Sequence, residues 1–288
     1  MDGILLVKKP SGITSFAAVS RVKKVFSTKK VGHCGTLDPF ATGLLIIAVN
    51  SATKIVQFIE AQEKTYIARL KFGDKTDTGD LTGQIIEKKD FKDYSIKQIE
   101  SVFESFIGES YQVPPMYSAV KVDGERLYNL ARKGIEIDRE KRKIVIYDLK
   151  LIEKDETSIK FLVKCSKGTY VRTLGEDIAS KLGTLGHLIE LERIKIGNFD
   201  IKDGIALDLI TENSKLISMY DALSDMPKYF LNEDEEKRAK NGQVMTIKSE
   251  FEKLLLVGCK DNPIAIYYKN NGNEYKCLRG LQLKNENS

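Results

Sequence analysis

The chain has 288 residues, 46 Lys+Arg against 41 Asp+Glu, a net charge of +5, and 42% hydrophobic with 30% charged residues. That composition suits a globular protein with a sizeable core and excludes disordered, fibrous and collagen-like classes. The longest apolar run, Leu44 to Val49, is far short of the ~20 residues of a bilayer-spanning helix, and no signal pattern opens the chain, so a cytoplasmic protein without membrane contact is expected.

Ile4 to Val7 predicts a short buried strand, ended by the turn Lys9-Pro10-Ser11-Gly12. A helix follows that Thr14 or Ser15 can cap, with Val19, Val22 and Phe26 on one face. Residues 21–30 hold five basic groups and no acid. Val31 to Gly43 then packs three glycines, a proline, His33 and Asp38 between that helix and the strand Leu44 to Val49, and ordering such a loop implies a purpose. Tyr66, Ala68, Leu70 and Phe72 alternate with more polar neighbours, so a strand with one apolar face is expected.

Asp74, Asp77 and Asp80 cluster their carboxylates as a hard cation would require, although Asx and Thr side chains also cap turns in this way. Ser95 to Ile107 predicts a helix with a Ser95/Gln98 capping box, an apolar stripe of Ile99, Val102, Phe103 and Phe106, and Gly108 as its stop. Pro114-Pro115-Met116-Tyr117 cannot be helical and leads to a short helix, Arg126 to Lys133, ended by Gly134. Lys121 to Lys143 carries eight basic groups against five acidic ones, a pattern that fits a nucleic-acid backbone or a solvated face. Ile159, Phe161, Val163 and Cys165 predict a strand running on towards Gly168 to Arg172, before a helix that buries Leu174, Ile178 and Leu182. Asn232 to Glu236 is read as an acidic link to a small β-rich domain with strands at Lys253 to Val257 and Ile264 to Tyr268.

The four cysteines form no CxxC pair, which argues against a disulfide framework and structural zinc. Nothing in the spacing brings the two histidines, His33 and His187, together, and neither a GxGxxG motif nor a Gly-Lys-Ser/Thr phosphate loop is present. Asp38 is the strongest chemical candidate. A carboxylate in a glycine-rich loop before a buried strand sits at a strand edge beside a groove, where nucleophilic or acid–base work is possible, although Asp-Pro also simply starts turns.

Gly32-His33-Cys34-Gly35-Thr36-Leu37-Asp38-Pro39-Phe40-Ala41-Thr42-Gly43-Leu44-Leu45 closely resembles the catalytic signature of the TruB family, the bacterial tRNA pseudouridine synthases acting on uridine 55 of the TΨC arm. Four further blocks agree in order: Lys9 to Ser15, Lys64-Thr65-Tyr66, Val113 to Ala119 with its continuation Lys121-Val122-Asp123-Gly124, and Ser166 to Leu174. The resemblance implies the α+β pseudouridine synthase fold, with a mainly antiparallel central sheet flanked by helices in residues 1–230, an RNA-gripping insertion at about 117–143, and a small PUA-like domain in 231–288. It implies that Asp38 attacks the target nucleoside, that Arg172 pairs with Asp38, and that Tyr66 stacks on the flipped uracil and assists proton transfer at C5. Tyr170 and Leu191 would line the pocket, Lys9 and Pro10 would support its floor, and His33 would insert into the RNA where the base has left. Isomerisation within one nucleoside implies no cofactor and no metal, and the expected partner is the T arm of tRNA, with a monomer needing no partner protein. Two positions depart from the family: Glu192 stands where an arginine usually follows the leucine, and Cys34 where threonine is commoner. The competing readings are a guide-RNA-dependent relative of the dyskerin type, a non-catalytic RNA-binding protein, and a metal-dependent hydrolase built on Asp74, Asp77 and Asp80.

Overall fold

In the computed structural model, which describes residues 2–122 and 124–282, the apolar run at 44–49 lies inside a strand buried on both faces, as continuous rather than alternating hydrophobicity requires. Elements are numbered along the chain. The first half holds β1 (Gly3–Lys9), α1 (Ser15–Val25), β2 (Val31–His33), β3 (Thr42–Val49), α2 (Val56–Glu60), β4 (Lys64–Phe72), the hairpin β5 (Asp74–Thr76) and β6 (Ile85–Lys88), α3 (Ile96–Glu104) and β7 (Gly108–Gln112). A small hairpin, β8 (Lys121–Val122) and β9 (Glu125–Arg126), precedes α4 (Leu127–Arg132), then β10 (Arg142–Lys154), β11 (Ser158–Cys165), α5 (Val171–Lys181), β12 (Gly186–Ile196), β13 (Phe199–Asp200) and β14 (Ile205–Ala206).

These strands form one sheet of ten in the order β14-β1-β3-β12-β4-β11-β10-β7, with β13 beside β12 and β2 beside β3. All its pairs are antiparallel except β1 with β14 and a two-residue contact of β12 with β3. The architecture is the α+β, mainly antiparallel one that the resemblance implies. β4 alternates strictly, and its Tyr66, Ala68, Leu70 and Phe72 pack with Ile99 and Phe103 of α3 and Leu174 and Ile178 of α5. Leu5, Val7, Leu45 and Ile47 face Ala18, Val19 and Val22 of α1, while Ile4, Leu6, Leu44 and Ile46 face the other way.

The second sheet comprises β15 (Lys228–Phe230), β16 (Met245–Thr246), β17 (Lys253–Val257), β18 (Pro263–Asn271) and β19 (Glu274–Gly280), ordered β15-β17-β18-β19-β16. Leu255, Val257, Ile266 and Leu281 join the core beneath β1 and β3; the opposite face packs on a helix through Ala239. That helix, Glu233–Lys240, replaces the expected acidic link. Asn232 caps it, Glu235 completes a capping box, and four acidic residues occupy the first turn, where the helix dipole favours negative charge.

Three further expectations are corrected. The strand through Cys165 stops there: Gly168 takes φ +83°, and Val171 and Arg172 open α5, so Arg172 projects from a helix. The helix capped at Ser95 ends at Glu104, and Gly108 opens β7. The first three residues of the segment 31–43 pair with β3 as β2. Asp123 of the Lys-Val-Asp-Gly block and residues 283–288 lie outside the described residues. Among the described residues, no helix is long and apolar enough to cross a membrane.

Candidate active site

The site lies where the sheet changes direction, at the short parallel contact between β3 and β12. The loop 34–41 crosses this seam, and its neighbours hold it at nearly every residue. Leu37 N–H donates to Ser15 Oγ at 2.9 Å, and the Ser15 hydroxyl donates back to Leu37 O at 3.0 Å. Thr14 is therefore the residue that caps α1, receiving Ala17 N–H at 3.0 Å. Gly12 N–H donates to Pro39 O at 2.8 Å and the Ser11 hydroxyl to Phe40 O at 2.8 Å. The Lys9 ammonium, buried, donates to the carbonyls of Pro10, Ile13 and Pro39 at 2.8, 2.9 and 3.3 Å. The Lys9 to Ser15 block is thus the clasp of the Asp38 loop.

Asp38 keeps 31% of its side chain exposed at the floor of a cavity of about 650 Å³, also lined by Tyr66, Ser118, Tyr170, Leu191 and Arg193. Arg172, 4% exposed, meets it side-on, with Nε 2.9 Å from Oδ2 and Nη2 3.3 Å from Oδ1. The same guanidinium donates to Thr78 O at 2.6 Å and Tyr117 O at 2.7 Å, and lies 3.8 Å from Asp80 Oδ2. With its donors spent on fixed acceptors, Arg172 can take one orientation only. Burial pushes the Asp38 carboxyl above its ordinary value, and the Arg172 guanidinium opposes that push.

Tyr66 is buried on β4 opposite Arg193; burial raises its phenol and the charge of the Arg193 guanidinium opposes that rise. Tyr170 precedes α5, and its backbone is gripped from both sides by Gln112, which accepts from Tyr170 N at 2.8 Å and donates to Tyr170 O at 3.1 Å. Leu191 of β12 completes the apolar wall. Asp38, Tyr66, Tyr170, Leu191 and Arg172 are therefore brought together. Lys9 and Pro10 lie behind the loop, outside the cavity lining, and His33 sits on β2, also outside it, with a buried Nδ1 that has no hydrogen-bond partner among the described residues. Burial lowers the His33 pKa, so its ring is neutral at neutral pH.

The three aspartates of 74–80 do not converge on a cation. Asp74 pairs with Lys71 at 2.8 Å, Asp77 accepts Gln84 N–H at 2.8 Å, and Asp80 accepts Thr82 N–H at 2.9 Å. Among the described residues no group of three or more metal-binding side chains comes together. His187 is buried against Asp74 O at 3.0 Å. Asp80, Arg193 and Lys64 are site residues that sequence reasoning missed. Asp80 was visible only as part of a carboxylate cluster; its place beside Arg172 depends on a bridge to Leu188 that no local pattern announces. Lys64, whose ammonium donates to Glu60 O and Gln62 O at 2.5 and 2.7 Å, is brought down to about 8 by burial, and it lies within the Lys-Thr-Tyr block.

Residues 23–171 match the model described as "TruB family pseudouridylate synthase (N terminal domain)". A protein named tRNA pseudouridine synthase B from Clostridium tetani is 45% identical over 257 residues, covering 88% of this chain and 89% of that protein. Its namesake from Caldicellulosiruptor saccharolyticus is 42% identical across 100% of this chain and 99% of its own length. Among solved structures, a chain of a Cbf5-Nop10-Gar1 complex superposes with a TM-score of 0.75 at 24% identity, covering 97% of this chain and 85% of its own, a likeness of fold.

Proposed function

The chain belongs to the TruB family of pseudouridylate synthases, and from that premise we propose that it isomerises uridine 55 in the TΨC loop of tRNA to pseudouridine, unaided by a guide RNA. The observation that carries this reading is the Asp38–Arg172 pair at the floor of a cavity walled by Tyr66, Tyr170 and Leu191. A base buried in a folded loop must be extruded before chemistry, at a few kcal/mol, and a pocket with aromatic walls receives it. Asp38 attacks the target nucleoside, the N1–C1′ bond breaks, the ring turns, C5 bonds to C1′, the bond to Asp38 breaks so that its carboxylate is restored, the C5 proton leaves and N1 gains one. Arg172 keeps the carboxylate ionised and aimed. Tyr66 stacks on the uracil and assists the C5 proton transfer; His33 enters the space left in the RNA, and Lys9 with Pro10 stiffens the loop. Atoms and electrons balance without an external redox partner or co-substrate.

The catalytic portion is residues 1–230, with 117–143 gripping the T arm and 231–288 as a PUA-like appendage, and the enzyme acts as a cytoplasmic monomer. The basic groups Arg142, Lys143 and Lys167 line the cavity and suit the flanking phosphates. Tritium release from unmodified tRNA carrying 5-³H-uridine tests the reading. Wild type releases tritium in EDTA, while Asp38→Asn releases none yet binds tRNA within a few-fold, because the phosphate contacts lie elsewhere. Turnover by Asp38→Asn near the wild-type rate would remove Asp38 from the mechanism, and release from a tRNA with cytidine at position 55 would remove the site specificity.

A further inference from the structure

Arg193 is 1% exposed, and among the described residues no carboxylate lies within ion-pairing distance of it. A buried cation without an acid partner is costly unless its donors are satisfied, so where those donors go shows what it serves. Nε donates to Leu44 O at 2.8 Å, Nη1 to Thr36 O at 3.3 Å and Nη2 to Gly35 O at 3.2 Å. Two of these carbonyls precede Asp38 and one follows it, so a single planar guanidinium ties both ends of the Asp38 loop. Arg193 also stands directly opposite Tyr66 on the neighbouring strand, so their side chains share one face of the sheet, and both line the cavity beside Asp38. Its backbone is fixed on the other side by pairing with Gly43, where a Cβ would come within 2.4 Å of Arg193 O.

We propose that Arg193 is a positioning residue for the isomerisation, holding the Asp38 loop and the Tyr66 phenol in one rigid frame. This rests on the roles given above to Asp38 and Tyr66. Attack at one face of the nucleoside and proton transfer at C5 must share one geometry while the uracil turns between them, and a fork anchored to the Asp38 loop from the strand position opposite Tyr66 sets their separation. A lysine supplies the charge without the fork; a glutamine supplies donors without the charge. The groups facing Tyr66 are Arg193 from β12, Cys165 from β11 and Asp38 from the loop, and Glu60 and Lys64 stand behind Arg193.

Single-turnover tritium release, T-arm affinity and thermal unfolding of Arg193→Lys and Arg193→Gln test the proposal, with Asp38→Asn alongside. The expected result is a folded protein with affinity within about three-fold of wild type and a rate about 100-fold lower for both variants, the loss that a misplacement of about 1 Å produces. The rate–pH profile of Arg193→Gln, which removes the charge opposing burial of the phenol, moves to higher pH, and that of Arg193→Lys stays in place. Rates within three-fold of wild type in a folded variant would overturn the proposal. So would loss of fold in both variants, which would assign Arg193 to stability alone. Activity retained by Asp38→Asn would instead overturn the underlying site assignment, whatever Arg193 does.

Discussion

Asp38 and Arg172 act as a unit whose parts pull in opposite directions. Burial raises the Asp38 carboxyl, and the guanidinium 2.9 Å away opposes that rise, so the charge that the proposed attack requires depends on Arg172 being fixed in place. A raised carboxyl is protonated sooner as pH falls, and the acid limb of kcat/KM therefore stands above the ordinary aspartate value of about 3.9. Removing the opposing charge with Arg172→Met moves that limb to still higher pH and lowers the neutral rate by about 100-fold or more. A pH–rate profile between about pH 4 and pH 8 checks the sign, and a limb that stays put or moves down contradicts it. Lys9 is a different kind of residue. Its ammonium, brought down to about 8 by burial, remains charged at neutral pH and spends its donors on the Pro10, Ile13 and Pro39 carbonyls. Lys9→Met leaves those carbonyls without that donor and lowers stability by about 1–3 kcal/mol in urea unfolding, with kcat falling more than KM rises.

At the scale of elements, the junction of β3 with β12 sets the site, and Gly43 permits it. Its φ is +109°, and an added Cβ would stand 2.4 Å from Arg193 O and 2.7 Å from Arg193 N, so Gly43→Ala forces the strands apart. Positive-φ strain and backbone overlap together cost about 2–4 kcal/mol, and urea unfolding with tritium release shows both stability and rate falling. That junction was not legible in the sequence. β4 and β11 announced themselves because each buries alternate residues against α3 and α5. β12 did not, because register shifts at Leu188/Glu190 and Arg193/Lys195 break its alternation, although it is the strand to which Leu191 and Arg193 belong. The helix at Glu233 was hidden for another reason: its acidic first turn reads as a solvated link until the cap at Asn232 is weighed with it. Asp38 and Arg172 lie 134 residues apart, and only the ordered motifs, not periodicity, indicated that they meet.

For the whole molecule, the question is whether the C-terminal sheet is an appendage or part of the catalytic core. Leu255 and Ile266 of that sheet lie in one apolar cluster with Ile4, Leu6, Leu44 and Ile46, so the face of β3 opposite α1 is closed by a second sheet. The Lys54 ammonium reinforces the joint, donating to Leu281 O at 3.1 Å and Gln282 O at 2.5 Å. Because β3 also continues from the Asp38 loop, loosening this core reaches the site through the strand itself. Leu255 is fully buried, and Leu255→Ala, which leaves a cavity at the shared face, costs about 2–5 kcal/mol. If the two sheets fold as one unit, that loss appears in a single urea transition, and far-UV circular dichroism and residual tritium release follow the same midpoint. A variant whose second sheet melted first while tritium release persisted would show the units to be separable. The shared core argues for one transition, because neither sheet can open without exposing the aliphatic face of the other to water.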